Sequence, residues 1–224
     1  MIMATRRYRS AIRTEQTAQT RAHLVECARD LLAEGGVDGL TLPLVAKRAG
    51  VSIPTVYRHF PTLEDLLRGV LEWLRPAVGQ SRERLLQTTP EALPAVPLEN
   101  FRKYDEHAAV LLPLMDSRAF NRVRIGSMSD RKEEAARVLR TLAPEWRARE
   151  LEAASGAVYA LCSPQTWRWL RETWALPNEL AAEAASWAVR ALLEAVKRQG
   201  GLAPPTPPKK PKKSEKSKKE AKKR

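Results

Sequence analysis

Three features predict an all-α chain with a small helix-turn-helix unit near its N-terminus and a larger helical body behind it. Apolar residues recur at helical spacing along most of the 224 residues, with almost none of the two-residue alternation of a strand. The stretch 41–60, TLPLVAKRAGVSIPTVYRHF, reads as two short helices about a tight turn. Residues 87–97, QTTPEALPAVP, hold three prolines in eleven positions and mark a break between the two parts.

Residues 1–17 are polar and basic, with Arg6, Arg7, Arg9 and Arg13 and no apolar period, so a flexible arm is expected there. A first helix is predicted from about Thr20 to Glu34, on the stripe Leu24, Ala28, Leu31 and Leu32, with Gly35 and Gly36 stopping it. Thr41 caps the next helix and Pro43 falls in its first turn, where the missing N–H costs little. Leu44, Val45, Ala46 and Ala49 supply its apolar side, and Gly50 ends it. Ser52 caps again, Pro54 sits in the new first turn, and Val56 and Phe60 pair inward at i,i+4. That leaves Ile53, Pro54, Thr55, Tyr57, Arg58 and His59 on the outer side of a helix sized for a major groove. A fourth helix is expected from Thr62 to about Leu86, kinked or divided by Pro76.

Beyond the break, helical segments are predicted at about 98–116, 129–142, 144–161, 165–174 and 179–199. Two carry interface-like stripes. One is Leu151, Ala154, Val158 and Leu161, joined by small residues; the other includes Leu180, Ala184, Trp187 and Ala191. Small residues let helices approach closely, so two such helices from each of two subunits suit a four-helix dimer interface. The organisation expected is therefore arm 1–17, DNA-binding domain 18–78, helical domain 79–202 and a disordered Pro- and Lys-rich tail 203–224.

Around 41–66 the chain resembles the TetR family of bacterial transcriptional regulators. The matches are Gly36, Thr41, Ala46, Ala49, Gly50, Val51, Ser52, Thr55, Tyr57, His59, Phe60, Glu64 and Leu66, and the likeness covers about residues 18–78. It departs at Leu63, where the family usually has a phosphate-binding Lys. Pro43 stands where some relatives have a base-reading polar residue.

The resemblance implies a homodimeric regulator on a double-stranded DNA operator. Thr55 and Arg58 would read bases, Ile53 and Pro54 would meet thymine methyls, and Tyr57 and His59 would reach phosphates, with Lys47 and the caps Thr41 and Ser52 nearby. It also implies a small-molecule inducer pocket in the larger domain, for which Phe101, Tyr104, Met115, Phe120, Tyr159 and Trp167 are the candidates. Their composition suits an apolar or aromatic ligand, acting by a population shift in the spacing of the two reading heads.

Charge sharpens this reading. The net charge is +13, but residues 204–224 hold ten Lys or Arg against two Glu, which leaves +5 for all the rest. A Lys-rich tail also fits an architectural, weakly specific DNA binder, the competing function. Catalysis is disfavoured. His23, His59 and His107 are far apart, and no metal, phosphate-loop or nucleophile motif occurs, so neither cofactor nor metal is expected. The longest apolar run, Ala108 to Met115, is too short for a membrane span and contains Pro113. A cytoplasmic, nucleoid-associated protein follows. Cys27 and Cys162 lie in helical patterns as small apolar residues.

Overall fold

The computed structural model describes residues 2–198 and 201–202, and the tail expected over 203–224 lies outside them. The described residues form twelve α-helices and no strand. The first four are α1 (Ile2–Gly35), α2 (Leu42–Ala49), α3 (Ile53–His59) and α4 (Leu63–Ala77). The body comprises α5 (Arg82–Gln87), α6 (Ala95–Glu106), α7 (Ala108–Asp116), α8 (Arg118–Gly126), α9 (Ser129–Arg140), α10 (Ala148–Leu161), α11 (Pro164–Arg168) and α12 (Asn178–Arg198). A π-helical turn follows α11 over Trp169–Thr173.

Several boundaries differ from the sequence expectation, each for a local reason. The helix α1 starts at Ile2, through the stretch expected as a separate arm. Residues 2–34 hold no Gly or Pro and are rich in Ala, Arg, Gln and Glu, which favour a helix without any apolar stripe. The side chains of Arg6, Arg7, Arg9 and Arg13 lie outside the described residues. α4 ends at Ala77, short of the predicted Leu86, because Pro76 removes a donor from its last turn and Gly79 reverses the chain at φ 72°. The segment predicted over 98–116 is divided at His107 into α6 and α7. α8 had no counterpart in the sequence reading.

Two apolar cores result. The first joins Leu24, Ala28, Leu32, Val45, Val56, Phe60, Leu66 and Val70 of the head to Phe101, Leu111, Leu114 and Phe120 of the body. It crosses the boundary expected at residue 78, since α7 packs on α1 and α8 on α4. The second lies between α9, α10 and the C-terminal half of α12, around Leu139, Trp146, Leu151, Val158, Val189 and Leu193. Each fully buried side chain of this size contributes about 1.5–3 kcal/mol.

The junction of α3 and α4 is set by a close approach. Gly69 of α4 is buried, and a Cβ placed there would lie 3.0 Å from Phe60 Cε1 and 3.2 Å from Val25 Cγ2. Any side chain there would push Phe60 or Val25 back by a few tenths of an ångström, so glycine gives α4 its close fit to both the end of α3 and α1. The opposite edge of the Phe60 environment is closed by Arg21, whose guanidinium stands 5.1 Å from the ring centroid and pairs with Glu72 at 2.9 Å. Gly69→Val is therefore expected to destabilise the fold by about 1–3 kcal/mol through overpacking, read as a lower urea midpoint by circular dichroism. An unchanged midpoint would show that the head tolerates separation of these helices.

Candidate nucleic-acid interface

The reading head is assembled by caps. Thr41 Oγ1 accepts from the Leu44 N–H at 3.3 Å, and Gly50 closes α2 in the left-handed region at φ 66°. The Val51 N–H then donates to the Ala46 carbonyl at 3.1 Å, completing the turn. Ser52 Oγ accepts from the Thr55 N–H at 3.3 Å and lies 2.8 Å from Thr55 Oγ1, so the cap also orients the Thr55 hydroxyl. α4 opens on a reciprocal cap. Thr62 Oγ1 accepts from the Asp65 N–H at 3.1 Å, while Asp65 Oδ2 accepts from the Thr62 N–H at 3.1 Å. The Thr62 hydroxyl also donates to Asp65 Oδ2 at 2.7 Å, and this bond, then the Thr62 N–H and Arg68, hold the Asp65 carboxyl below its ordinary range.

With Val56 and Phe60 buried, α3 turns its other side outward. Ile53 is 45% exposed and Tyr57 47%, and Ser52, Pro54 and Arg58 are also exposed. Thr55 is half-buried beneath them. On α2 the buried side is Leu42, Val45 and Ala46; Leu44, expected inward, is exposed beside Pro43. Leu42 takes the core position because the helix begins there, and this rotates Leu44 out by two residues' turn.

The cations divide into two groups. Arg48 is committed to Glu34, Nη1 to Oε1 at 2.9 Å and Nη2 to Oε2 at 2.5 Å, a bidentate clamp between α1 and α2. That clamp lowers the Glu34 pKa and raises that of Arg48. Arg68 is held by Asp65 at 2.8 Å. Lys47 and Arg58 are exposed and have no acidic partner among the described residues. They flank the outer side of α3 and are free to meet phosphate. Leu63 is half-buried against the first core, so no cation occupies the start of α4.

His59 is only half-exposed, and its Nε2 is buried without a partner. Burial, reinforced by Arg58 and Arg21, pulls its pKa below 6.5. The ring is neutral at neutral pH.

The other predicted groups fall differently. Of the candidate pocket residues, Phe101, Tyr104 and Trp167 belong to the first core. Tyr104 donates to the Cys162 carbonyl at 2.9 Å, and the Trp167 Nε1–H is shared by Asp105 and Asn178 at 3.1 and 3.2 Å. Burial raises the Tyr104 phenol well above its usual value. Tyr159 does line a cavity of about 720 Å³, mouth included, walled by α5, α6, α9 and α10. Met115 and Phe120 line a second one of about 540 Å³ beside α4, α7 and α8. Sequence reasoning missed Gln80, Asn100 and Arg131 on these walls, because polar residues inside a helical body carry no periodic signal. Cys162 also lines the larger cavity, its thiol pushed by burial up to about 12, and Cys27 is raised likewise; both are free thiols.

The predicted interface stripe on α10 is corrected. Leu151, Ala154 and Val158 are buried in the subunit's own second core, with Leu161 half-buried beside it. The exposed side of α10 is instead Ala153, Gly156, Ala157 and Ala160. On α12, Trp187 is 68% exposed, with Leu180 and Ala191 also exposed and Ala184 half-buried. No metal-binding group of His, Cys, Asp or Glu occurs among the described residues, and no described helix is long and apolar enough to cross a membrane.

Residues 24–70 match a family described as bacterial regulatory proteins, tetR family. The chain is 29% identical over 160 residues to the HTH-type transcriptional regulator BetI of Cronobacter sakazakii, covering 67% of this chain and 78% of that one. It is 36% identical over 78 residues to the HTH-type transcriptional regulator CymR of Pseudomonas putida, 34% of this chain and 38% of that regulator. The fold is similar to that of NalD, the secondary repressor of the MexAB-OprM multidrug efflux pump in Pseudomonas aeruginosa. That likeness has a TM-score of 0.56 at 21% identity, over 82% of this chain and 97% of that one.

The depressed His59 gives a pH prediction. Its folded-state pKa lies below the unfolded value of 6.5, so stability is full above pH 6.5 and is lost as pH falls through the folded value. Glu34 and Asp65, lowered from 4.5 and 3.8, act only in a more acidic window. Urea midpoints should fall between pH 7.5 and pH 5.5 in the wild type, and fall less in His59→Gln. Equal slopes would place the pH dependence elsewhere.

Proposed function

We propose, for a chain that belongs to the TetR family of bacterial transcriptional regulators, that it binds a palindromic operator as a homodimer and represses transcription until a small molecule occupies its helical body. The observation that carries the reading is α3. Its apolar pair Val56 and Phe60 is buried, its outer side bears Ile53, Pro54, Tyr57 and Arg58, and the unpaired Lys47 stands beside it.

In this reading Arg58 and Thr55 hydrogen-bond to base edges, and Ile53 and Pro54 pack on thymine methyls. Tyr57, His59 and Lys47 hold phosphates, and the helix starts at Thr41 and Ser52 lie against the backbone. A seven-residue reading helix touches few bases, which is the physical reason a dimer is required. Two heads set about 34–36 Å apart double the contacts and meet successive major grooves.

The exposed small residues Ala153, Gly156, Ala157 and Ala160 of α10 support the dimer contact, since they permit close helix approach. Leu180, Ala184, Trp187 and Ala191 on α12 provide the larger apolar side chains for the same contact. The cavity between α5, α6, α9 and α10, with leucine and valine over much of its wall, is the candidate effector site. Its occupation would act on the head through α4, which meets Phe60 at Gly69 and is followed by Gly79 and Gln80 on the cavity wall.

The decisive experiment is a selection of genomic DNA fragments by the full chain and by a chain ended at Leu202. A shared palindromic motif from both is expected. No motif from either, with binding lost at moderate salt, would favour an architectural protein acting through its Lys-rich tail.

Two further outcomes are expected. Thr55→Ala should relax preference at one operator position by about 1–3 kcal/mol, whereas Tyr57→Phe should weaken operator and random DNA alike, both by fluorescence anisotropy. Ala157→Arg should leave the helical content intact yet give a monomer in sedimentation, with operator affinity reduced more than about tenfold. A dimer that survives this change would move the interface off α10.

A further inference from the structure

The two cavities of the body share Gln80, Arg131 and Tyr159 on their walls, and the shared group is a buried cation. We infer that the larger cavity takes an amphiphilic organic anion, with its charged group on Arg131 and its apolar part along α9 and α10; this rests on the reading of that cavity as an effector site. Arg131 is 7% exposed. Its guanidinium donates to the Gln80 main-chain carbonyl and, at 3.4 Å, to Gln80 Oε1, both neutral acceptors. No carboxylate lies within ion-pairing distance of it among the described residues.

The other charges on this wall are compensated. Arg84 pairs with Glu99, and Glu134 pairs with Arg137 at 2.7 Å. What remains is one positive charge, largely removed from water and lacking a counterion. A guanidinium has five N–H donors in a planar fork, and two neutral oxygens leave most of that fork unused. A carboxylate is the group that matches it in both charge and geometry.

A second polar group on this wall asks for a donor. Asn100 is 2% exposed, lines the same cavity, and its Oδ1 has no donor. A hydroxyl or amide N–H carried by the ligand would satisfy it. Most of the remaining wall is apolar, with Leu93, Val96, Val138, Leu139 and Val158 facing hydrocarbon and Thr88 and Ser155 adding hydroxyls. One cation, one orphan acceptor and an apolar lining describe an acid with an apolar body, and the same cation disfavours quaternary amines.

Anion binding would also compete with the Gln80 carbonyl for Arg131. Gln80 follows Gly79, where the chain turns at φ 72° out of α4. Drawing the guanidinium to a ligand therefore releases a hydrogen bond that anchors the end of α4, and α4 positions the reading head.

The test uses full-length protein and three probes of matched length, octanoate, 1-octanol and octyltrimethylammonium, titrated by calorimetry. Octanoate should bind at least about tenfold more tightly than 1-octanol, with the cation weakest. Arg131→Met should bind octanoate and 1-octanol equally, and Arg131→Lys should keep most of the preference. Should Arg131→Met fail to fold, the ranking of probes on the wild type decides. Equal binding of octanoate and 1-octanol by the wild type would overturn the anion assignment while leaving the effector cavity standing. An octanoate preference that persists in a folded Arg131→Met would remove Arg131 from the recognition. No binding of any probe at millimolar concentration would overturn both the anion assignment and the cavity reading beneath it.

Discussion

The contact of α4 with Phe60 at Gly69 constrains everything else in this molecule. A buried glycine in a helix interior costs about 1 kcal/mol relative to alanine, and that cost is offset only if the close approach matters. Here it fixes the angle at which α3 leaves the head, because Phe60 is the residue that ends α3. Arg21 over the same ring, and its pair with Glu72, brace α1 against α4. The head is thus one packed unit with α4 as its base, and a displacement of α4 is a displacement of the reading helix.

The far end of α4 is held by polar contacts of another kind. Gln80 donates from Nε2 to the Tyr104 hydroxyl at 2.6 Å, Tyr104 donates to the Cys162 carbonyl, and Arg131 grips Gln80 from α9. Along its length, Arg75 donates to Ser127 Oγ at 2.5 Å, Arg122 pairs with Glu64 at 2.6 Å, and Arg29 stacks 3.4 Å over Trp73. Trp73 in turn meets His107 edge-on at 5.6 Å, where α6 gives way to α7. These bonds have defined lengths and directions and can be exchanged for bonds to another partner. A helix with a close-packed middle at Gly69 and exchangeable hydrogen bonds just past its end is suited to two discrete positions.

How much of this was legible in the sequence depends on the range of the force involved. The helix-turn-helix was readable because caps and the Gly50 turn are local: Thr41, Ser52 and Val56 sit where three- and four-residue rules put them. The end of α4 needed two signals together, Pro76 and Gly79, and either alone permits a longer helix. α8 escaped because RAFNRVRIG buries only Phe120 and Val123, too few to make a stripe. On α10 the strongest apolar stripe, Leu151, Ala154 and Val158, was assigned to a partner, but a subunit uses its best stripe for its own core first. The weaker alternative, Ala153, Gly156, Ala157 and Ala160, is what remains outside. Arg131 was illegible for the opposite reason. Its burial is produced by α4's terminus and α9 meeting in space, and in the sequence it is one more charged residue among DRKEE.

The placement of Arg131 bears on why the body is built as it is. Burying a guanidinium carries a large desolvation penalty, so stability alone does not account for an arginine at that position. Nor does it act as a surface charge, being almost wholly buried. It spends its donors on the carbonyl of Gln80, the first residue past the turn that ends α4. A group that costs stability, sits between two cavities and holds the base of the reading head has one economical explanation. On the effector reading proposed above, it would couple what enters the cavity to where α4 stands, and through Gly69 and Phe60 to where α3 points.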